Sequence, residues 1–381
     1  MARHPAAILA RGAPAGFVRP LDAQRLPQLR GRDFHHPRRL RLGSARALRR
    51  RPARDPALLR PPALPGGRRG PPRRRALDSR LKAKGNTVAG VKISNPDRLV
   101  DPASKATKID LARYYDRIAK HMLPHLVGRP IALVRAPAGV EGKLFFQKHG
   151  DTVKVPGIKV LDRKYWPGHD PMLEIDTREA LVAAAQMNVI EFHTWNSTTR
   201  AIAKPDRMLF DLDPGEGITW DQLLEATELT QRMLDMLGLE SFLKTSGGKG
   251  LHVVVPLTPK DDYDTVKDFS QAVVVHLART LPNLFVSKSG PRNRIGRIFI
   301  DYLRNGNGAT TAAAFTARAR PGLGVSVPVK WSELSGLESA AQWDIFSVHE
   351  RLAKLRADPW RDYAKTRQTL QAASKRLRAA T

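Results

Sequence analysis

The chain of 381 residues contains no cysteine. That absence excludes disulfide bonds and thiolate metal sites, and it fits a reducing compartment. No run of 18 consecutive apolar residues occurs, which argues against a membrane-spanning helix. The first 80 residues also contain no lysine, although they contain 21 arginines. We therefore expect a cytoplasmic protein that has no membrane partner.

Positive charge is abundant and unevenly distributed. The whole chain has a formal net charge of +29 at pH 7. Residues 1–80 hold 21 arginines and 4 aspartates, a net charge of +17, and the remaining 301 residues carry +12. An excess of this size favours a polyanionic partner such as nucleic acid, because association releases the counterions of the phosphate backbone.

The first 82 residues are rich in arginine, proline and alanine, and no apolar period persists in them. We predict a disordered segment over 1–82 and a folded domain over 83–381. Three interpretations of the segment stay open. It is a basic arm for nucleic acid, a transit peptide of the mitochondrial type, or the translation of GC-rich DNA upstream of the true start.

Helical and β patterns alternate from residue 83 onward without a strict βαβ repeat. Together they predict an α+β fold with a mixed or antiparallel central sheet flanked by helices. The predicted strands are 87–94, 130–135, 143–149, 189–195, 207–213, 241–246, 251–257 and 297–303. The predicted helices are 107–126, 178–188, 219–239, 264–281, 332–338, 344–356 and 360–378. Thr107 is the predicted N-cap of the first helix, and Gly238 is predicted to end the third.

Residues 209–215, LFDLDPG, place Asp211 and Asp213 at the end of a predicted strand. Side chains at i and i+2 on a strand point to the same face, so the two carboxylates can bind one cation together. The competing interpretation is N-capping and turn formation before the proline. A third carboxylate, Asp301, ends the apolar run RIFI in another predicted strand. Three aspartates at strand ends suit hard divalent cations and the two-metal chemistry of phosphoryl transfer.

The segment TSGGKGLH (245–252) combines three glycines with Ser246, Lys249 and His252. Its backbone amides can approach an anion closely, and the lysine adds positive charge. An ordinary glycine hairpin is the alternative. The segment is not a Walker A loop, because Gly250 stands where that pattern needs serine or threonine.

Other candidates are basic or aromatic. Arginines cluster around the third aspartate, among them Arg294 and Arg318, and a guanidinium matches phosphate oxygens well. Phe145 and Phe146 alternate faces, so we expect one of them in the core. The other could stack on an unpaired base beside Lys148. The alternative is that a covering helix buries both.

Seven motifs occur in order and together resemble the polymerase domain of bacterial ligase D, a member of the archaeo-eukaryotic primase superfamily that serves non-homologous end joining. The resemblance covers about residues 88–365. The motifs are ISNPDR (93–98), TKIDLARYY (107–115), FFQKH (145–149), EFHTWNS (191–197), FDLDP (210–214), SGGKGLHV (246–253) and IFIDYLRN (298–305).

The resemblance implies a role for each candidate residue. Two Mg²⁺ or Mn²⁺ ions would be held by Asp211, Asp213 and Asp301. The nucleoside triphosphate site would be lined by His193, Ser246, Lys249, His252, Arg294 and Arg318. Template would stack on Phe145 or Phe146 beside Lys148, and a downstream 5′-phosphate would be bound by Arg98 and Lys108.

The implied activity is extension of primer 3′ ends at DNA breaks and short gaps with nucleoside triphosphates, ribonucleotides preferred. Implied partners are DNA ends with a 5′-phosphate, Ku and a DNA ligase. We find no pattern for an adenylating ligase domain within the 381 residues, so we expect the ligase to be a separate protein. The expected location is the bacterial cytoplasm, at the nucleoid.

Three other functions compete with this interpretation. A haloacid-dehalogenase-type phosphatase also places a DxD after a strand, but Gly215 stands where that loop needs threonine or valine. A non-catalytic DNA-end-binding protein would explain the basic charge but not three aspartates. A de novo primase would keep the chemistry and need no primer.

Overall fold

The computed structural model describes residues 85–150 and 155–380, so the predicted segment 1–82 lies outside the described residues. The first elements are short. Segment 87–94, predicted as one strand, is a hairpin, and that prediction is wrong. Ala89 and Gly90 have φ of 45° and 75°, and this left-handed pair makes a two-residue turn.

Sixteen strands lie in the described residues. They are β1 Thr87–Val88, β2 Val91–Lys92, β3 Leu99–Asp101, β4 Ala106–Thr107, β5 Ile131–Arg135, β6 Phe145–Gln147, β7 Lys159–Val160, β8 Leu173–Glu174, β9 Val189–Thr194, β10 Arg207–Pro214, β11 Phe242–Thr245, β12 Leu251–Pro256, β13 Phe285–Val286, β14 Ile298–Asp301, β15 Thr311–Ala312 and β16 Pro328–Val329.

The α-helices of the described residues are α1 Lys108–Met122, α2 Arg178–Gln186, α3 Trp220–Met236, α4 Tyr263–Thr280, α5 Val348–Lys354 and α6 Leu370–Ala380. Short 3-10 helices cover Leu123–His125, Arg163–Tyr165, Thr199–Ala201, Pro291–Arg294, Tyr302–Asn305 and Trp331–Gly336. None of these helices is long and apolar enough to cross a bilayer.

The predicted helix ends are mostly confirmed. Asp110 Oδ2 accepts hydrogen bonds from the amide and the hydroxyl of Thr107, which caps α1. Gly238 follows α3 with φ 73°. The predicted helix 360–378 is wrong over its first ten residues. There, Gln368 donates to the carbonyl oxygens of Glu240 and Pro256, and these bonds hold the segment against a neighbouring strand end.

Two six-stranded sheets organise the domain. Sheet A has the order β13–β14–β10–β12–β11–β16, antiparallel except for the parallel pair β13–β14. Sheet B has the order β15–β9–β5–β8–β7, with β6 also paired to β5, and it is antiparallel throughout. The α+β prediction with a mixed or antiparallel sheet is confirmed, but the central strands form two six-stranded sheets rather than one. The pairs β1–β2 and β3–β4 form two further, two-stranded sheets.

Each sheet has its own hydrophobic core. Sheet B packs with α1 and α2, and sheet A packs one face against α3, α4 and α6. Along β10, Met208, Phe210 and Leu212 alternate into the core of sheet A. Asp211 and Asp213 therefore lie on the other face of sheet A. The period-2 pattern of β10 is what separates apolar packing from the charged residues of the site.

Candidate active site

Four polar side chains form a row across sheet A. Asp211 on β10 lies directly opposite Asp301 on β14 and, on its other side, opposite His252 on β12. His252 in turn lies opposite Lys244 on β11. Directly opposed residues of antiparallel strands share one face of the sheet. The row therefore brings together carboxylates that are 90 positions apart in sequence.

Arginines contact all three aspartates. Arg304 Nε lies 3.1 Å from Asp301 Oδ2 and 3.8 Å from Asp211 Oδ2, so both carboxylates reach the same nitrogen. Arg294 Nη1 lies 3.0 Å from Asp213 Oδ2. Arg304 belongs to the arginine cluster seen in the sequence, but no role was predicted for it. The structure places it between the two opposed carboxylates.

The charges of the aspartates are not balanced equally. Burial and the neighbouring Asp211 carboxylate raise the pKa of Asp213 to about 6, against the opposing effect of Arg294. Burial likewise raises the pKa of Asp301, with repulsion from Asp211 added and Arg304 opposing. For Asp211, burial is outweighed by His252 and Arg304, which hold its pKa well below the usual range. Burial and mutual repulsion thus disfavour the ionised form of Asp213 and Asp301, although each has an arginine partner.

The donor chemistry of this cluster fits a hard divalent cation. All three side chains offer carboxylate oxygens, which Mg²⁺ and Mn²⁺ prefer. Burial and repulsion from Asp211 raise the pKa of Asp213 and Asp301, and a bound cation would favour their ionised forms. Within residues 85–150 and 155–380, no group of three or more His, Asp or Glu side chains is arranged closely enough to hold a metal ion. Arg304 would have to move for one ion to bind both Asp211 and Asp301.

We predict that Mn²⁺ stabilises the protein more at pH 7.5 than at pH 5. The pKa of Asp213 rises from 3.8 to about 6 in the folded protein, so folding favours its protonated form. The resulting stabilisation is fully present below about pH 3.8 and is lost as the pH rises through about 6. Above pH 6 the carboxylate is ionised and free to bind a cation. At ten times the dissociation constant, Mn²⁺ should raise Tm by about 2 °C or more at pH 7.5.

Thermal unfolding at both pH values checks this prediction. In an Asp213→Asn variant the Mn²⁺-induced increases in Tm at pH 5 and at pH 7.5 should become more alike, because the titrating carboxyl group is absent. Without Mn²⁺ that variant should also gain about 1 kcal/mol or less of stability above pH 6, since 36% of the Asp213 side chain stays exposed to screening water. Equal Tm shifts at pH 5 and 7.5 in the parent would contradict the assignment.

Buried Lys244 fixes the orientation of His252. Lys244 Nζ lies 2.8 Å from His252 Nδ1 and also donates to Ala312 O and Ser326 Oγ. With Nδ1 accepting, Nε2 carries the proton and points at Asp211 Oδ1, 3.3 Å away. Burial, followed by repulsion from Lys244, lowers the pKa of His252 to about 4. Sequence reasoning missed Lys244, whose only signal is a charged residue inside the apolar strand SFLKTS.

The glycine-rich segment joins β11 to β12 beside this row. Ser246 Oγ accepts from the amides of Gly248 and Gly250, at 3.1 and 3.2 Å, which leaves its own hydrogen available for a ligand. A Cβ on Gly250 would lie 2.2 Å from the carbonyl oxygen of Leu212 on β10. A Cβ on Gly248 would instead face Arg318 Nη1, at 3.7 Å. Gly250 thus allows β12 to pack closely against β10, whereas Gly248 leaves space beside the guanidinium of Arg318.

Lys249 and Arg294 line one open cavity of about 670 Å³ next to Asp213. Its wall also includes Gly215, Arg292 and the exposed Ile295. Three of the side chains that line the cavity are cationic, and Glu216 is the single acidic residue in the lining. The cavity is open and predominantly positively charged, and Arg294 in its wall contacts Asp213.

Sheet B contributes a network that sequence reasoning also missed. Glu191, 5% exposed on β9, accepts from His193 Nε2 at 2.6 Å and from Arg318 Nε at 3.0 Å. Arg318 Nη1 then donates to the Ser246 carbonyl oxygen at 2.8 Å, which joins sheet B to the glycine segment. Burial is outweighed by these partners, so the pKa of Glu191 falls to about 2. Its position two residues before His193 on one strand was the available signal.

We predict that Glu191→Gln weakens nucleotide binding without unfolding the protein. The amide keeps the volume but cannot accept from both His193 and Arg318 with a full charge. Loss of one charge-assisted contact should raise the nucleotide KM about tenfold. Steady-state kinetics and a melting curve check this. Glu225→Gln on the surface of α3 is the matched control, and an unchanged KM in Glu191→Gln would contradict the prediction.

The two predicted stacking residues lie on the edge strand β6 and are both exposed, Phe145 by 47% and Phe146 by 51%. The expectation that one of them belongs to the core is wrong, and so is the alternative that a helix buries both. Among the described strands β6 pairs only with β5, so it forms an edge of sheet B. Lys148 Nζ lies 5.7 Å from the Phe146 ring, and that ring meets His193 edge-on at 5.8 Å.

Arg98 and Lys108 lie together at the start of α1. Lys108 is 4% exposed, and its Nζ contacts Ser94 Oγ at 3.3 Å. Burial and then the charge of Arg98 lower the pKa of Lys108. The guanidinium of Arg98 donates to Pro137 O and Asn188 Oδ1. No carboxylate of the described residues pairs with either cation, so this corner has unbalanced positive charge.

Comparison with known proteins identifies relatives of this arrangement. Residues 107–360 match the family model "LigD, primase-polymerase domain". The multifunctional non-homologous end joining protein LigD of Pseudomonas aeruginosa is 52% identical over 307 residues, which are 80% of this chain and 36% of that protein. The protein of the same name from Mycolicibacterium smegmatis is 32% identical over 250 residues, 65% of this chain and 33% of that one.

A solved structure is similar over most of the domain. The polymerase domain of Mycobacterium tuberculosis ligase D in complex with DNA matches with a TM-score of 0.65 and 29% identity, covering 71% of this chain and 96% of that one. The chain spans about a third of the length of the curated relatives it matches.

Proposed function

Because the chain belongs to the LigD primase-polymerase family, we propose that it is a nucleotidyltransferase that extends primer 3′ ends at DNA breaks and short gaps. The observation that supports this most is the convergence of Asp211, Asp213 and Asp301 on one face of sheet A. Binding DNA alone would gain nothing from clustered carboxylates. The cationic cavity beside Asp213 supports a triphosphate substrate.

Each residue of the site then has a chemical task. Two Mg²⁺ or Mn²⁺ ions held by the three aspartates would supply Lewis-acid activation of the primer hydroxyl and charge neutralisation. Lys249, Arg294 and Arg318 would bind the β- and γ-phosphates, and the Ser246 hydroxyl would donate to one of their oxygens. His193 and His252 would line the same pocket, one from each sheet.

The test is extension of a gapped, labelled DNA with and without a 5′-phosphate, comparing ribonucleotides with deoxynucleotides. The proposal expects incorporation, with more of it when the 5′-phosphate is present and ribonucleotides are supplied. Binding without incorporation would favour a non-catalytic end-binding protein. Synthesis on template without any primer would favour a de novo primase.

The names of the relatives indicate the process. Both LigD proteins are described as acting in non-homologous end joining, and the solved polymerase domain is bound to DNA. We extend these properties to this chain as a proposal. Its substrates would be DNA ends and nucleoside triphosphates, its partners Ku and a DNA ligase, and its location the nucleoid.

We predict that Lys108→Ala removes most of the stimulation by a downstream 5′-phosphate. Lys108 is buried beside Arg98 with no carboxylate partner in the described residues, so a phosphate would relieve the repulsion between them. Stimulation should fall about tenfold, the value of one charge-assisted contact. Extension of an ungapped primer should change little. Lys354→Ala, an exposed change on α5, is the control, and unaltered stimulation in Lys108→Ala would oppose the assignment.

A further inference from the structure

A second large cavity, of about 640 Å³, lies at the opposite end of β10 from the aspartates. Asp206, just before β10, lines it, and Asp211 is five residues further along the strand. At about 3.3 Å per residue, the cavity is roughly 17 Å from the row of polar side chains. His125, Arg207 and Lys244 fill the space between them, where only about 10 Å³ remains. The cavity is therefore separate from the candidate active site.

Positive charge dominates the lining of this cavity. Its acids are Asp206 and Asp358, and its cations are Lys120, Arg129, Arg200, Arg361 and Arg367. Asp206 is fully engaged by Arg129 through two bonds of 2.6 and 2.7 Å. Among the described residues, neither Lys120 nor Arg200 has a carboxylate within ion-pair distance. The rim thus presents cations that are available to an anionic ligand.

Aromatic rings form one wall of the same cavity. Trp360 and Tyr363 stack with centroids 4.8 Å apart at an angle of 17°, and His125 meets Trp360 edge-on at 5.5 Å. Trp360 is buried, whereas Tyr363 is only half-buried and lines the cavity. Burial, with Arg207 and Arg129 adding repulsion, lowers the pKa of His125 to about 3, so its ring is neutral.

Cations and an aromatic ring in the wall of one cavity are the two elements that recognise a nucleotide. A base stacks on an aromatic face, and its phosphate binds arginine or lysine. We propose that this cavity binds a nucleoside phosphate, with the base against Tyr363 and the phosphate at Lys120 and Arg200. The ligand is either a free nucleotide or the terminal nucleotide of a single strand. This site is additional to the proposed catalytic one and does not depend on its activity.

Equilibrium dialysis of the full chain with labelled ATP tests the proposal. The parent should bind two equivalents, and a Lys120→Glu/Arg200→Glu variant should bind one, with affinity at the second site at least about tenfold weaker. Both positions are exposed, so the variant should fold, and a melting curve verifies it. Lys354→Glu/Lys375→Glu, with the same charge change elsewhere, should retain two equivalents. Primer extension by the cavity variant should stay within about twofold of the parent.

A second arm uses a labelled single-stranded oligothymidylate and identifies the source of the ligand. The ligand is a strand terminus if two results are obtained together. The parent, the cavity variant and the control each bind one equivalent of ATP, and the cavity variant binds the oligonucleotide about tenfold more weakly than the control. The proposal is overturned if the cavity variant and the control bind ATP and oligonucleotide alike. A parent that binds two equivalents of ATP but extends no primer would refute the proposed function and leave this site standing.

Discussion

Replacing Asp211 by alanine is expected to lower primer extension at least about a thousandfold. Asp211 is the centre of the row, opposed by Asp301 on one side and by His252 on the other. Its carboxylate is the one held ionised, because His252 and Arg304 outweigh the effect of burial on its pKa. Removing it would leave Asp213 and Asp301 with no shared central ligand for a cation.

The measurement is extension of a labelled primer by purified protein in Mn²⁺. Asp268→Ala, an exposed change of the same type on α4, should keep nearly full activity. A melting curve of Asp211→Ala checks its fold, because the change relieves repulsion on Asp213 and Asp301 but also removes the contacts with His252 and Arg304. Extension within tenfold of the parent by a folded Asp211→Ala protein would refute the catalytic assignment.

Replacing Gly250 by alanine is expected to cost about 3 kcal/mol of stability and most of the activity. The new Cβ would lie 2.2 Å from the carbonyl oxygen of Leu212, and backbone rather than a flexible side chain is in the way. The clash would push β12 away from β10 where Asp211 and His252 face each other. Denaturant unfolding and primer extension should therefore both report the change.

Alanine substitutions at two other glycines distinguish the effect of the steric clash from the effect of an added methyl group alone. A Cβ on Gly336 would have no neighbouring atom within 4 Å, so Gly336→Ala should change stability by less than about 0.5 kcal/mol. Gly248→Ala should fold normally but raise the nucleotide KM, since its methyl group would stand beside Arg318 and Arg320. A Gly250→Ala protein as stable as the parent would show that the close approach is unimportant.

A local pattern in the sequence predicted that Asp211 and Asp213 share one face of a strand. The i and i+2 spacing of Asp211 and Asp213 on an apolar strand indicated a shared face, and β10 has that geometry. The third aspartate could be identified by its place at the end of another strand, but its pairing opposite Asp211 could not. Register between distant strands depends on the packing of whole sheets, which local periodicity does not encode.

The sequence did not reveal Glu191 and Lys244, which contact and orient other residues of the candidate site. Lys244 contacts His252 within sheet A, and Glu191 contacts His193 within β9. Their contacts with Ala312 and Arg318 join segments that are far apart in sequence, and local periodicity does not report these. Likewise, the exposure of Phe145 depends on what covers β6, and no period in the sequence reports that. The hairpin at 87–94 was missed for a local reason, since Ala89 adopts a left-handed φ that alanine seldom takes.

The most direct test of the three-aspartate site is a crystal structure with Mn²⁺ and a non-hydrolysable nucleoside triphosphate, using the anomalous signal of manganese. Two manganese peaks about 4 Å apart are expected, bound by Asp211, Asp213 and Asp301, with Arg304 displaced from between the carboxylates. Manganese bound elsewhere, with Arg304 still joining Asp211 to Asp301 while the nucleotide occupies its pocket, would contradict the three-aspartate site.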